Sequence, residues 1–263
     1  MSARSNTVTV GDLEVHYLEE GRGQPLILLH GGMATASSWG EAMPRMADRY
    51  RVLAPDTRGH GKTSNPSQKL SYAQFADDVA GFIAALGLKK PLIVGYSDGG
   101  QTALEFGLRH PGKAGALVLG GTVSRPSEAY LEGLRGWGFP AAGQVDLDRM
   151  AAEFGPYFDQ IKVTHMHHYG PDYWRSFLVQ ISELWHTLPS YSDKQLASIS
   201  APTLAIMGDR DPLGGAEEAS RLYRHLRAGE LSVIANADHD AVNRPLFWDA
   251  VREFLARHED RQN

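Results

Sequence analysis

The sequence predicts an α/β fold: a mostly parallel sheet of about eight strands flanked by helices, with a helical segment inserted late in the sheet. Three observations carry that expectation. Short apolar runs alternate with longer helical stripes, as in a parallel sheet covered by helices. One run, at 92–94, leads straight into Gly95-Tyr96-Ser97-Asp98-Gly99 and then into a helical pattern. From about Gly121 to Gln195 the alternation stops, and the chain becomes helix-like and rich in Tyr, Trp, Phe, Met and His.

Residues 7–10 and 13–18 read as two opening strands joined by a tight Gly11-Asp12 turn. Short apolar runs follow at 25–29, 51–54, 91–94 and 116–119, and two more come at 203–206 and 231–234. Helical connections between the later runs make those strands parallel. Ser71 and Gln74 have capping-box spacing ahead of Phe75, Val79, Phe82, Ile83 and Leu86, and Gly87 stands where a glycine cap would end that helix. A last helix opens at Pro245 and lines up Phe247, Ala250, Val251, Phe254 and Leu255. The expected organisation is a core of residues 1–121 and 196–263 with a helical cap over 122–195. Open parallel sheets bind ligands at the strands' carboxyl ends, so the cap is expected to roof a site there.

Composition narrows the function. The 263 residues are 42% hydrophobic and 22% charged with a net charge of −5, which offers no pull toward nucleic acid or an anionic membrane. The absence of cysteine excludes disulfides, thiolate metal sites and a thiol nucleophile. Neither a secretory leader nor an apolar run of membrane-spanning length is evident. The expectation is a cytoplasmic protein acting on a small molecule, with no cofactor, no nucleic-acid partner and no membrane association.

The chemistry-bearing residues sit at strand ends. A serine on a tight strand-to-helix turn projects its hydroxyl above the sheet, and the new helix points unpaired N–H groups at developing negative charge. Ser97 is therefore the candidate nucleophile. The run 26–29 precedes His30-Gly31-Gly32, where a backbone N–H can complete an oxyanion hole. Gly32 and Asp98 are the candidate donors, with Met33 as an outside one, and His30 is read as a loop anchor. Two aspartates, Asp209 and Asp211, follow the run at 203–206, and His239 is the histidine of the loop after the final strand. A serine hydroxyl needs an imidazole to take its proton and a carboxylate to fix that imidazole. In the inserted segment, His165-Met166-His167-His168 lacks an acidic cluster with ligand spacing, so no metal site is expected. Trp174, Phe177, Trp185 and Tyr191 are read as packing residues, one or two of which line a pocket. Trp174, with Met33 and Asp98, is carried as a substrate contact.

Several stretches together resemble the α/β-hydrolase superfamily: His30-Gly31-Gly32, Asp56-Thr57-Arg58-Gly59-His60-Gly61, Gly95-Tyr96-Ser97-Asp98-Gly99-Gly100, Gly208-Asp209-Arg210-Asp211, and His239. The resemblance implies Ser97 as nucleophile, Asp211 rather than Asp209 as the acid, and His239 as the base, in the chain order of that fold. It also implies that Asp56 to Gly61 hold loops near the site. Ser97-Asp98-Gly99-Gly100 and Tyr169-Gly170-Pro171-Asp172-Tyr173-Trp174 are similar to valacyclovir hydrolase and its bacterial relatives. That likeness makes Asp98 a candidate for receiving the ammonium group of amino-acid esters. A carboxylate in a first helical turn is also stabilised by the helix dipole alone.

The leading expectation is hydrolysis of a small carboxylic ester, amino-acid esters, lactones and activated amides included. Carbon–carbon bond hydrolysis of a diketone or cofactor-free perhydrolysis would use the same triad. A ligand receptor on a hydrolase scaffold is the alternative outside catalysis.

Overall fold

The computed structural model describes residues 3–259. The described residues form the strands β1 (Arg4–Val10), β2 (Leu13–Gly21), β3 (Pro25–Leu29), β4 (Arg51–Pro55), β5 (Leu92–Tyr96), β6 (Ala116–Gly120), β7 (Thr203–Gly208) and β8 (Gly229–Ile234). They make one eight-stranded sheet in the order β1-β2-β4-β3-β5-β6-β7-β8. The β1–β2 and β2–β4 pairings are antiparallel and every other is parallel, as expected. Gly11 takes a φ of 59° at the tip of the opening hairpin.

Alternation along the strands makes two cores. Ile27, Leu29, Ile93, Leu117 and Leu119 face one side of the sheet. There they pack with α2 (Tyr72–Ala85) and α3 (Asp98–Arg109), the helices after a short α1 (Ala42–Ala47). Leu26, Leu28, Val52, Val94, Val118 and Ile206 face the other side with Met43 and Met46 of α1. Each fully buried aliphatic or aromatic side chain contributes roughly 1.5–3 kcal/mol, so a strand buried on both faces must be an uninterrupted apolar run. The α2 signals behave as read, with one difference. Ser71 Oγ accepts the Gln74 N–H at 3.2 Å, but the Gln74 side-chain amide faces Arg58 instead of closing the capping box. Gly87 at φ 62° and a Leu88 N–H bond to the Ile83 carbonyl at 2.9 Å end the helix.

Between β6 and β7 lie α4 (Glu128–Gly136), α5 (Leu147–Phe154), α6 (Pro156–Thr164), α7 (Tyr173–His186) and α8 (Asp193–Ser198), with no strand among the described residues. Tyr130, Leu134, Phe158, Ile161, Phe177 and Trp185 of this segment form a third apolar cluster with Met33, Tyr72 and Phe75 from below. The expected boundary at 195 falls inside α8. That helix opens on a complete capping box at Ser192 and Gln195, and its Leu196 joins the core on the sheet side. The chain then continues through β7, α9 (Gly215–His225), β8 and α10 (Pro245–Arg257), with Pro245 in the first turn of α10 as read. Strand β8 differs from a buried run. It is the sheet edge, and Leu231 and Val233 on it are exposed. Among the described residues no helix is long and apolar enough to cross a membrane.

Candidate active site

Ser97 sits between β5 and α3 with φ 54° and ψ −118°, a left-handed backbone that a non-glycine residue adopts only under constraint. Its N–H donates to the Gly120 carbonyl at 2.7 Å, which ties the turn to β6. The flanking glycines serve close approach. A Cβ on Gly95 would strike the Gly99 backbone, and one on Gly99 would strike the backbone of Leu29 and His30.

The structure brings Ser97, Asp211 and His239 together. His239 Nε2 lies 2.9 Å from Ser97 Oγ, and its Nδ1 lies 2.8 Å from Asp211 Oδ2. An acceptor-only carboxylate at Nδ1 places the imidazole proton there, leaving Nε2 to accept from the serine hydroxyl. Asp211 is buried, and its Oδ1 also accepts the Leu213 N–H at 3.0 Å. Asp209 is exposed. Its carboxylate accepts the Ala237 N–H at 3.1 Å, bracing the loop that carries His239. The Tyr96 hydroxyl donates to the His239 carbonyl at 3.2 Å, while the Trp137 ring lies 5.3 Å from the imidazole.

Gly32 and Asp98 flank Ser97 from the two loops. The Asp98 N–H is the first of α3, where no helical carbonyl stands behind it. The loops touch, since a Cβ on Gly31 would lie 3.3 Å from Ser97 Cβ. The Asp98 carboxyl is buried and takes neutral donors, Tyr72 Oη at 2.9 Å and Trp185 Nε1 at 2.8 Å to Oδ1 and 3.0 Å to Oδ2. Burial pushes its pKa up to about 6, outweighing those donors. Those neutral donors stabilise the carboxylate without cancelling its charge.

The signature loop is an anchor, as the resemblance implied. Asp56 accepts the Ala36 N–H at 2.7 Å, the Lys62 N–H at 2.9 Å and His16 Nδ1 at 2.8 Å. His30 Nε2 accepts the Thr57 N–H at 3.0 Å, so its Nδ1–H donates to the Gly31 carbonyl at 2.8 Å. The 165–168 stretch departs from its helical reading: α6 ends at Thr164 and a turn follows. His165 Nδ1 accepts the Gly61 N–H at 2.8 Å and its Nε2–H donates to the Met33 carbonyl at 3.0 Å. His168 Nε2 reaches the Lys62 carbonyl at 2.7 Å. These imidazoles fasten the inserted segment to the loops below. Among the described residues no group of three or more His, Cys, Asp or Glu side chains is placed to hold a metal.

Two cavities meet at Ser97 and share Trp137 and Trp185 as a common wall. One, of about 20 Å³, runs past Asp98 toward Tyr130, Leu134 and Leu188. The other, of about 320 Å³, runs past His239 toward Met33, Tyr157 and Val242. Among the described residues lining them there is no lysine or arginine. Met33 is where the sequence reading put it. Trp174 is not: it lines neither cavity, because it packs edge-on to Phe158, with the Arg175 guanidinium over its ring. Trp185 and Trp137 take the place assigned to it.

Comparison with known proteins agrees with this architecture. A family model described as the alpha/beta hydrolase fold matches residues 24–242, and the chain belongs to that family. A 2-hydroxy-6-oxo-6-(2'-aminophenyl)hexa-2,4-dienoic acid hydrolase of Metapseudomonas resinovorans is 30% identical over 96% of this chain and 91% of its own length. A solved thermophilic esterase from Thermogutta terrifontis matches with a TM-score of 0.73 and 25% identity over 98% of this chain and 100% of that one. A meta-cleavage product hydrolase from Pseudomonas fluorescens IP01 shares the fold with a TM-score of 0.79 at 24% identity, over 97% and 98% of the two chains. The protein is a hydrolase of this fold; esterases and carbon–carbon bond hydrolases both stand among its relatives.

Proposed function

We propose that the protein is a serine hydrolase of small carboxylic esters that bear no negative charge and that it works through an acyl-enzyme on Ser97. The observation that carries the reading is the unbroken chain from Asp211 through His239 to Ser97 Oγ at 2.8 and 2.9 Å, opening onto two cavities. His239 Nε2 takes the serine proton as Oγ attacks the carbonyl carbon. The Gly32 and Asp98 N–H groups receive the developing oxyanion. Collapse breaks the bond to the alcohol, which leaves with the proton from His239, and water then releases the acid by the reverse sequence.

The first relative favours a second reading, carbon–carbon bond hydrolysis by the same residues. Its substrate is by name a dienoic acid. Here a carboxylate would enter cavities lined by no lysine or arginine, the smaller of which already holds Asp98. Burying an unpaired anion beside another costs several kcal/mol, which supports the neutral ester over the acid. The same imbalance supports amino-acid esters as a subclass, their ammonium answering Asp98. Turnover of p-nitrophenyl acetate, beside a 2-hydroxy-6-oxo-dienoate of the relative's class, tests the choice. Ester turnover alone is expected, and cleavage of the dienoate with no ester turnover would overturn it.

A further inference from the structure

The two cavities at Ser97 are unequal, and under the ester-hydrolase reading above that inequality sets a substrate preference. Once Ser97 Oγ bonds the carbonyl carbon, three other groups on that carbon need separate places. The oxygen must face the Gly32 and Asp98 N–H groups. The leaving oxygen must lie within reach of His239 Nε2, the nitrogen that returns the proton. His239 lines the 320 Å³ cavity and not the 20 Å³ one. The alcohol portion therefore belongs in the larger cavity, and the acyl chain is left with the smaller, on the Asp98 side.

We propose that the protein is selective for short acyl chains and tolerant of the alcohol. A cavity of 20 Å³ holds roughly one or two small groups. Its walls are not loose ends. Leu134 and Leu188 are buried, and the Tyr130 hydroxyl donates to the Trp185 carbonyl at 2.9 Å. Leu213 is tied through its own N–H to the Asp211 carboxylate. The floor is Asp98, fixed by Tyr72 and Trp185. Lengthening the acyl chain means displacing elements that also hold the oxyanion donors and the triad acid. Interiors packed this way yield little to an extra methylene. On the alcohol side the cavity runs between Met33, Tyr157 and Val242 with room for a ring.

Two substrate series test the division with the wild-type protein. Across p-nitrophenyl esters from acetate to octanoate, kcat/KM falls at least about a hundredfold from the best short chain. Across phenyl, 4-tert-butylphenyl and 2-naphthyl acetates, whose phenols are of similar acidity, it varies less than about tenfold. Leu188→Ala moves the acyl optimum to longer chains, and Leu188→Phe confines turnover to acetate. Octanoate turned over within tenfold of acetate, a steeper dependence on the phenol, or a Leu188→Ala profile identical to wild type would each overturn the assignment. Absence of turnover throughout both series would instead overturn the ester-hydrolase reading on which it rests.

Discussion

Ser97 holds a backbone conformation that costs of order 1–3 kcal/mol for a residue with a side chain, and two contacts maintain it. One is the bond from its N–H to Gly120, the other the seating of Gly99 against the end of β3. The two aspartates after β7 separate by surroundings. Asp211 is buried on His239, whereas Asp209 is exposed and holds backbone. Asp211→Asn is expected to lower kcat by about a thousandfold or more, and Asp209→Asn by less than about tenfold. Steady-state kinetics of the two variants check this, and the reverse order would move the acid. Sequence spacing alone left that choice open, because both residues satisfy a turn after a strand. Asp98 is a sharper case. If it answers a substrate ammonium, Asp98→Ala impairs amino-acid esters far more than simple acyl esters in paired kcat/KM measurements; equal losses leave it only a structural role.

At the scale of elements, the loops that leave the carboxyl ends of the neighbouring parallel strands β3 and β5 are fitted to one another and to α7 around the site. A Cβ on Gly32 would lie 2.6 Å from Asp98 Oδ2 and 2.7 Å from Trp185 Cζ2. Gly32→Ala is therefore expected to cost at least about tenfold in kcat/KM by displacing an oxyanion donor, with the circular dichroism spectrum retained. His165 clamps the inserted segment to Gly61 and Met33. Its replacement by alanine leaves the Gly61 N–H unpaired and the Met33 carbonyl with the Tyr157 hydroxyl alone, for a loss of about 1–3 kcal/mol in urea denaturation. Strands and capped helices were legible because their periodicity is local. The occupants of the cavity walls were not. Nearly every apolar residue of α7 is buried, so the pattern could not say that Trp185 rather than Trp174 faces Ser97. Trp137 lies just beyond α4 with no periodic signal at all.

For the molecule as a whole, buried histidines predict sensitivity to acid. Burial lowers the pKa of His30 and His60, and that of His165 to about 4. The unfolded chain takes up these protons below about pH 6.5 while the folded protein does not. Stability is therefore lost as pH falls below about 6.5, and for His165 that loss continues to about pH 4 at about 1.4 kcal/mol per pH unit. Asp98 acts in the opposite sense: its raised pKa lets the folded state bind a proton first, so its contribution is lost as pH rises through about 6. Asp78, raised by burial, acts as Asp98 does, whereas Asp56, Asp77, Asp209 and Asp238 are held below the usual carboxylate range and add to the imidazoles' loss in acid. Melting temperatures measured from pH 7 to pH 4.5 are expected to fall, and to fall less steeply in His165→Gln; a flat profile would contradict the assignment of neutral buried imidazoles.

The acyl-enzyme itself is open to direct observation. Intact-protein mass spectrometry after rapid acid quench of a p-nitrophenyl acetate reaction should show one added acetyl group, mapped by peptide fragmentation to Ser97. Ser97→Ala should show neither the adduct nor turnover above about a thousandth of wild type. Ester turnover at the wild-type rate in Ser97→Ala, or an acetyl group mapped to another side chain during turnover, would contradict the nucleophile on which the proposed mechanism depends.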